Sequence, residues 1–191
     1  DILNKINRNQ LEKIINEISF YNFEELSTND NSKIVVKFQN NIDSTTYSDL
    51  QFYDGREIFD YKRNILIEFI NKILASIDEK ELIMRKYNEK WIINPEESKE
   101  VSDVLSSNAI KNNFNGGLLV HKNNKMVELF IESVLKYNSF IQLIFQKSKI
   151  IISPTDHMDI FFESDNINEL KRVIDDNLNT FVNVLLLEIK Y

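Results

Sequence analysis

The chain carries only two histidines, and one of them sits in Ser153 to Asp165, SPTDHMDIFFESD, between Asp156 and Asp159. Along a strand successive side chains alternate faces, so His157, Asp159, Phe161 and Glu163 would share one face while Met158, Ile160 and Phe162 enter a core. A histidine and a carboxylate on one face can share a metal ion or orient an imidazole for proton transfer. Such chemistry needs more than two groups. Zinc wants three or four ligands, and a general base needs an oriented partner and a nucleophile. His121, which follows LLV at the end of a short predicted strand, is the other imidazole. A metal-assisted hydrolase would therefore be assembled from His121, Asp156, His157 and Asp159, and it requires their strands to be neighbours. The competing interpretation places Pro154 at the second position of a type I turn from Ser153 to Asp156, leading into a half-solvated strand. A single His and Asp pair is not a motif, so the weight falls on the turn, and no catalytic residue, metal or cofactor is assigned.

Other familiar chemistries find no residues. Cysteine is absent, which removes disulfides, thiol catalysis and thiolate metal sites. Nucleophile elbows, phosphate-cradling glycine loops, HExxH pairs and EF-hand loops are all missing from the sequence. With three glycines in the whole chain, the pair Gly116-Gly117 reads as a turn or a helix C-terminal signal.

The more distinctive stretch is TTYSDLQFYDGREIFDY. Strand alternation puts Tyr47, Asp49, Gln51 and Tyr53 on the face opposite Leu50 and Phe52, and Glu57 and Asp60 extend that patch from the helix that follows. Tyrosines supply contact area at low entropic cost, and acids beside them favour a partner rich in Lys or Arg. The same residues also have local explanations: Asp54 and Glu57 suit a reciprocal helix cap, and Lys37 could pair across strands with Asp49.

The elements that must position these groups follow from periodicity. Leu11, Ile14, Ile15 and Ile18 predict an amphipathic helix over Leu3 to Ser19. KIVVKF and TTYSDLQFY predict paired strands, and Leu66, Phe69, Ile70, Ile73 and Ile77 predict the buried stripe of a long helix ending near Ile77. ELIMRKY and KWIIN predict two short strands, with Trp91 in the core, and Asn94-Pro95-Glu96-Glu97 predicts a helix start. Beyond the break at 112–117 the pattern is β-α-β-β-β-α-β. The final strand, FVNVLLLEI, is apolar on both faces and is expected inside the sheet. Three consecutive strands on short turns favour an antiparallel meander, so the expected class is α+β, a mainly antiparallel sheet packed with amphipathic helices. The expectation is one domain over 1–191, with a possible subdivision into 1–111 and 118–191.

A net charge of −7 and a pI near 5.0 argue against a nucleic-acid binder and towards a basic protein partner. No apolar run of about 18 residues and no basic amphipathic face occurs, so no membrane association is expected, and a cytoplasmic location is. The leading reading is a non-catalytic protein-binding module, in its concrete form an acidic inhibitor of the immunity or antitoxin kind that neutralises a basic protein. The alternatives are the hydrolase above and a structural domain of a longer polypeptide, which a start at Asp1 without methionine leaves open.

Overall fold

The computed structural model describes residues 3–18, 21–22, 27–28, 33–39 and 56–190. In chain order these give β1 (Asn4–Asn7), α1 (Arg8–Asn16), β2 (Tyr21–Asn22), β3 (Ser27–Thr28), β4 (Lys33–Phe38), α2 (Arg56–Ser76) and β5 (Glu81–Lys86). Next come α3 (Lys99–Ser107), β6 (Gly116–His121), α4 (Lys125–Leu135), β7 (Ile141–Phe145), β8 (Ile150–Pro154), β9 (Ile160–Ser164), α5 (Ile167–Leu178), a single 3-10 turn (Asn179–Phe181) and β10 (Leu185–Lys190). The fold is α+β. Eight strands form one sheet in the order β1-β6-β5-β7-β8-β9-β4-β10, antiparallel at every pairing, and β2 pairs with β3 separately. Strands from both sides of 112–117 alternate within this sheet, since β5 lies between β6 and β7, and β4 between β9 and β10.

Alternation along the strands divides the apolar residues between two faces. Ile34, Val36, Leu82, Met84, Leu118, Leu143, Ile152, Ile160 and Phe162 turn to the side covered by α2, α3, α4 and α5, where they join one continuous core. The stripe predicted for α2 is the buried one: Leu66, Phe69, Ile70, Ile73 and Ile77 are all in that core. On the other side Leu11, Ile15 and Ile18 pack on Ile83, Ile144 and Ile151. The short helix that carries Leu11 and Ile15 begins at a capping box, Asn7 accepting from the Gln10 backbone and the Gln10 side chain accepting from Asn7.

Glycine is used here for space and not for conformation. A Cβ on Gly116 would stand 2.2 Å from the Ile6 carbonyl oxygen, and one on Gly117 would stand 2.7 Å from the Ile83 side chain, so β6 can sit between β1 and β5 only without side chains there. The left-handed positions fall to other residues: Ala109, Tyr137, Lys149 and Met158 have φ of 52°, 57°, 51° and 61°. Two of these close Schellman motifs. After α3 the Ala109 N–H donates to Ser106 and the Ile110 N–H to Leu105; after α4 the Tyr137 N–H donates to Val134 and the Asn138 N–H to Ser133.

Several sequence expectations are corrected. The N-terminus forms β1 before its helix, because Asn4 to Asn7 find the open edge of β6. KWIIN is not a strand: the Trp91 N–H donates to the Asn112 carbonyl and the Ile93 N–H to that of Asn138, which ties the segment to two loops. The helix expected at Pro95 begins at Lys99, after a turn. Gly116 and Gly117 are strand residues. β10 is an edge strand, with β4 as its neighbour among the described residues, and Phe181 belongs to the preceding 3-10 turn. The strand TTYSDLQFY and the cap at Asp54 lie outside the described residues.

Relative to glycine, a left-handed alanine costs about 1 kcal/mol, so Ala109→Gly is expected to stabilise the chain by that order in denaturant unfolding. Gly116→Ala is expected to destabilise it by more than about 2 kcal/mol, because backbone and not a flexible side chain meets the new methyl group.

Candidate functional site

The two histidines stand at opposite ends of the sheet. His121 closes β6 opposite Glu81, at the end where β7 runs into the four-residue turn Gln146 to Lys149. His157 lies in the turn between Pro154 and Ile160, at the other end. Three inter-strand steps, each about 4.8 Å, also separate β6 from β8. The structure therefore does not bring His121 to Asp156, His157 and Asp159.

Within their turn the last three have different situations. The Asp159 carboxylate accepts the Thr155 hydroxyl, and its carbonyl accepts the Thr155 N–H at 3.0 Å, which closes the loop. His157 is exposed and donates its backbone N–H to Thr155 Oγ1 at 3.2 Å, whereas Asp156 is buried. Pro154 ends β8 paired with Ile160, so the turn, Thr155 to Met158, is two residues later than the spacing suggested, and Met158 reaches the core through its left-handed backbone. Among the described residues no group of three His, Asp or Glu is placed to hold a metal ion.

At the His121 end a cleft of about 820 Å³ is floored by Ile83, Leu119 and Ile144 and rimmed by Asp78, Glu81, His121 and Lys147. Its most deeply engaged carboxylate is already satisfied. Glu79 accepts the backbone N–H groups of Lys147 at 3.0 Å and Ser148 at 3.1 Å, clasping the loop after α2 to the β7–β8 turn. His121 Nδ1 accepts the Asn123 N–H at 3.2 Å, a local turn contact.

Of the acidic, tyrosine-bearing face, Tyr47, Asp49, Gln51 and Tyr53 lie outside the described residues, while Glu57 and Asp60 occupy the start of α2. Helical geometry turns Glu57, Tyr61, Asn64 and Glu68 outward, at successive spacings of four, three and four, opposite the core stripe. Ile58 and Tyr61 are 50% and 58% exposed, large side chains left in solvent on a helix whose other face is fully buried. These two were not singled out in the sequence, although in EIFDY the stripe claims Phe59 and leaves both of its apolar neighbours outside.

The charges around them are ordered. Asp60 pairs with Arg63 at 2.9 Å, Arg63 reaches Glu132 of α4 at 3.4 Å, and Glu132 takes Lys136 at 2.5 Å. Lys62 folds back with its ammonium 5.1 Å from the Phe38 ring centre, and burial pushes its pKa below the ordinary lysine value. Among the described residues Glu57 makes no ion pair, so the outer start of α2 presents a carboxylate beside exposed Ile58 and Tyr61.

The end of α4 is fixed by a buried polar knot. Asn138 donates to the Asn94 carbonyl at 2.8 Å and to Ser98 Oγ at 2.7 Å, and it accepts the Asn94 N–H at 2.6 Å; Ser98 meets Ser133 at 3.1 Å, and the Ser139 hydroxyl donates to the Trp91 carbonyl. Every hydrogen-bonding group of the Asn138 side chain is thereby used. Asn138→Ala leaves Ser98 and the Asn94 backbone short of partners in a largely buried site, so a loss of about 2–4 kcal/mol is expected in denaturant unfolding. By contrast His157→Ala, at an exposed turn, is expected to change stability by less than about 0.5 kcal/mol.

Comparison of the chain with protein-family models, with curated proteins and with solved structures found no match in any of the three.

Proposed function

We propose that the chain is a non-catalytic protein-binding module that holds a basic partner on the face begun by Glu57, Ile58, Asp60 and Tyr61 of α2. The observation that carries this reading is the exposure of Ile58 and Tyr61 beside Glu57, which has no ion-pair partner among the described residues, on a helix that otherwise spends its apolar residues on the core. Exposed aromatic and aliphatic groups rimmed by charge are what protein interfaces use as anchors, and an overall charge of −7 draws basic proteins by long-range attraction. Tyr47, Asp49, Gln51 and Tyr53 immediately precede α2 in the chain and belong to the same proposed face. In its most concrete form this is an inhibitor of the immunity or antitoxin kind, covering the basic site of a partner such as a nuclease. No helix among the described residues is long and apolar enough to cross a membrane.

The experiment is capture from native lysate with the full chain as bait, beside a Glu57→Lys/Tyr61→Ala variant of matched stability. The expected result is one stoichiometric basic protein that is released as salt rises and that the variant fails to retain. Equal retention by both baits, or retention independent of salt, would overturn the reading.

A further inference from the structure

The geometry points to a larger docking surface than α2 alone: Tyr61 and Tyr137, bridged by the ion-pair chain from Asp60 to Lys136, form one face that takes an arginine-bearing segment of a protein partner. The inference rests on the binding reading above and adds its second half, at the end of α4.

Tyr137 occupies the left-handed position after α4, where glycine or asparagine normally sits, and it is 54% exposed. A bulky residue there is strained, and more than half of its surface stays in solvent. Instead it stands edge-on to Phe140, with ring centres 5.5 Å apart at 89°, and Phe140 in turn meets Tyr87 at 5.6 Å. Ile93, 40% exposed, is tied to the same place by its N–H bond to the Asn138 carbonyl. Beneath, the Asn138 knot makes this ledge rigid, so its aromatic groups are held in position before any partner arrives.

The two tyrosines belong to one end of the molecule. α2 begins over Phe38, the last residue of β4, and α4 ends beside Ile141, the first residue of β7; both lie at the sheet end that carries the 155–159 turn. Between them run Asp60, Arg63, Glu132 and Lys136, whose charges satisfy one another. Along the edge of this face are Glu57, Glu96, Glu97 and Glu100, all exposed and, among the described residues, none paired with a base. Glu96, Glu97 and Glu100 line a depression of about 320 Å³ with Lys136 and Glu132 on its other wall. Aromatic rings bordered by free carboxylates fit a guanidinium, which stacks on a ring and donates to carboxylates at the same time.

The test is an amide-resonance titration of the full chain with the capped tripeptide Arg-Leu-Arg, with Glu-Leu-Glu as control. Shifts at Tyr61, Ile93, Glu97 and Tyr137 that saturate together, and that the acidic control does not produce, are expected. Tyr137→Gly is expected to fold at least as stably as the parent while binding the tripeptide about three- to tenfold more weakly, a combination that a structural role would not give. Glu96→Lys/Glu97→Lys, at exposed positions, is expected to weaken binding by a similar factor. Movement at Tyr61 without movement at Tyr137 and Ile93 would overturn the joint surface and leave the α2 face standing. No response, an equal response to the acidic tripeptide, or undiminished binding by Tyr137→Gly would also overturn it.

Discussion

Phe69 is the contact on which the architecture turns. From the middle of α2 its ring meets Phe162 of β9 edge-on, at 6.3 Å and 87°, and Phe181 of the 3-10 turn before β10, at 5.7 Å and 87°. One side chain thus joins the central helix, the sheet and the chain's return into its last strand. Edge-to-face aromatic pairs add to area burial because ring edges are positive and faces negative. Around this junction α2 lies across the sheet, α5 packs beside it, and β10 is delivered to the outer edge of β4. With the buried stripe committed in this way, the outward-turned residues of α2 follow by helical geometry, and so does the face that carries Glu57 and Tyr61.

Much of this frame was legible in the residues. The α2 stripe, the burial of Trp91 and the antiparallel meander of β7, β8 and β9 all follow from period and turn spacing. Strand order did not follow, because the partners of β4 come from over a hundred positions away and side-chain period says nothing about which strand pairs with which. The glycine pair misled for a physical reason: glycine is needed equally where backbone must bend and where backbone must come close, and here the Ile6 carbonyl decides for closeness. FVNVLLLEI looked central because it is apolar on alternate residues of both kinds, yet at the edge only Leu185 is fully buried, while Leu186 to Ile189 are half-buried beside charged pairs. Lys37 supplies one such pair, with Glu188 on β10.

For the candidate sites the difference is between adjacency in sequence and adjacency in space. Asp156, His157 and Asp159 share a turn because they are neighbours in the chain, and the Asp159 carboxylate and the His157 backbone N–H serve that turn through Thr155. His121 belongs to another end of the sheet altogether. The ledge around Tyr137 is the reverse case: Ile93, Glu96, Tyr137 and Phe140 come together through the hydrogen bonds that Asn138 and Ser139 make to residues 91–98, which no local pattern announces. A left-handed tyrosine is likewise invisible to periodicity, because it becomes recognisable only when the donors and carbonyls of the helix end are assigned.

The position of β4 also governs how the chain can acquire its structure. β4 is held between β9 and β10, and the ion pair of Lys37 with Glu188 spans 151 residues of sequence. Ile34, Val36 and Phe38 must therefore wait, apolar and unpaired, until β9 has been made, and the outer edge of their strand until β10 has. Contacts of such separation are closed late and slowly, at the entropic cost of a long loop. On a ribosome, the β1, β5, β6 and β7 half of the sheet can assemble first, and the arrival of β10 is the event that seals the other edge.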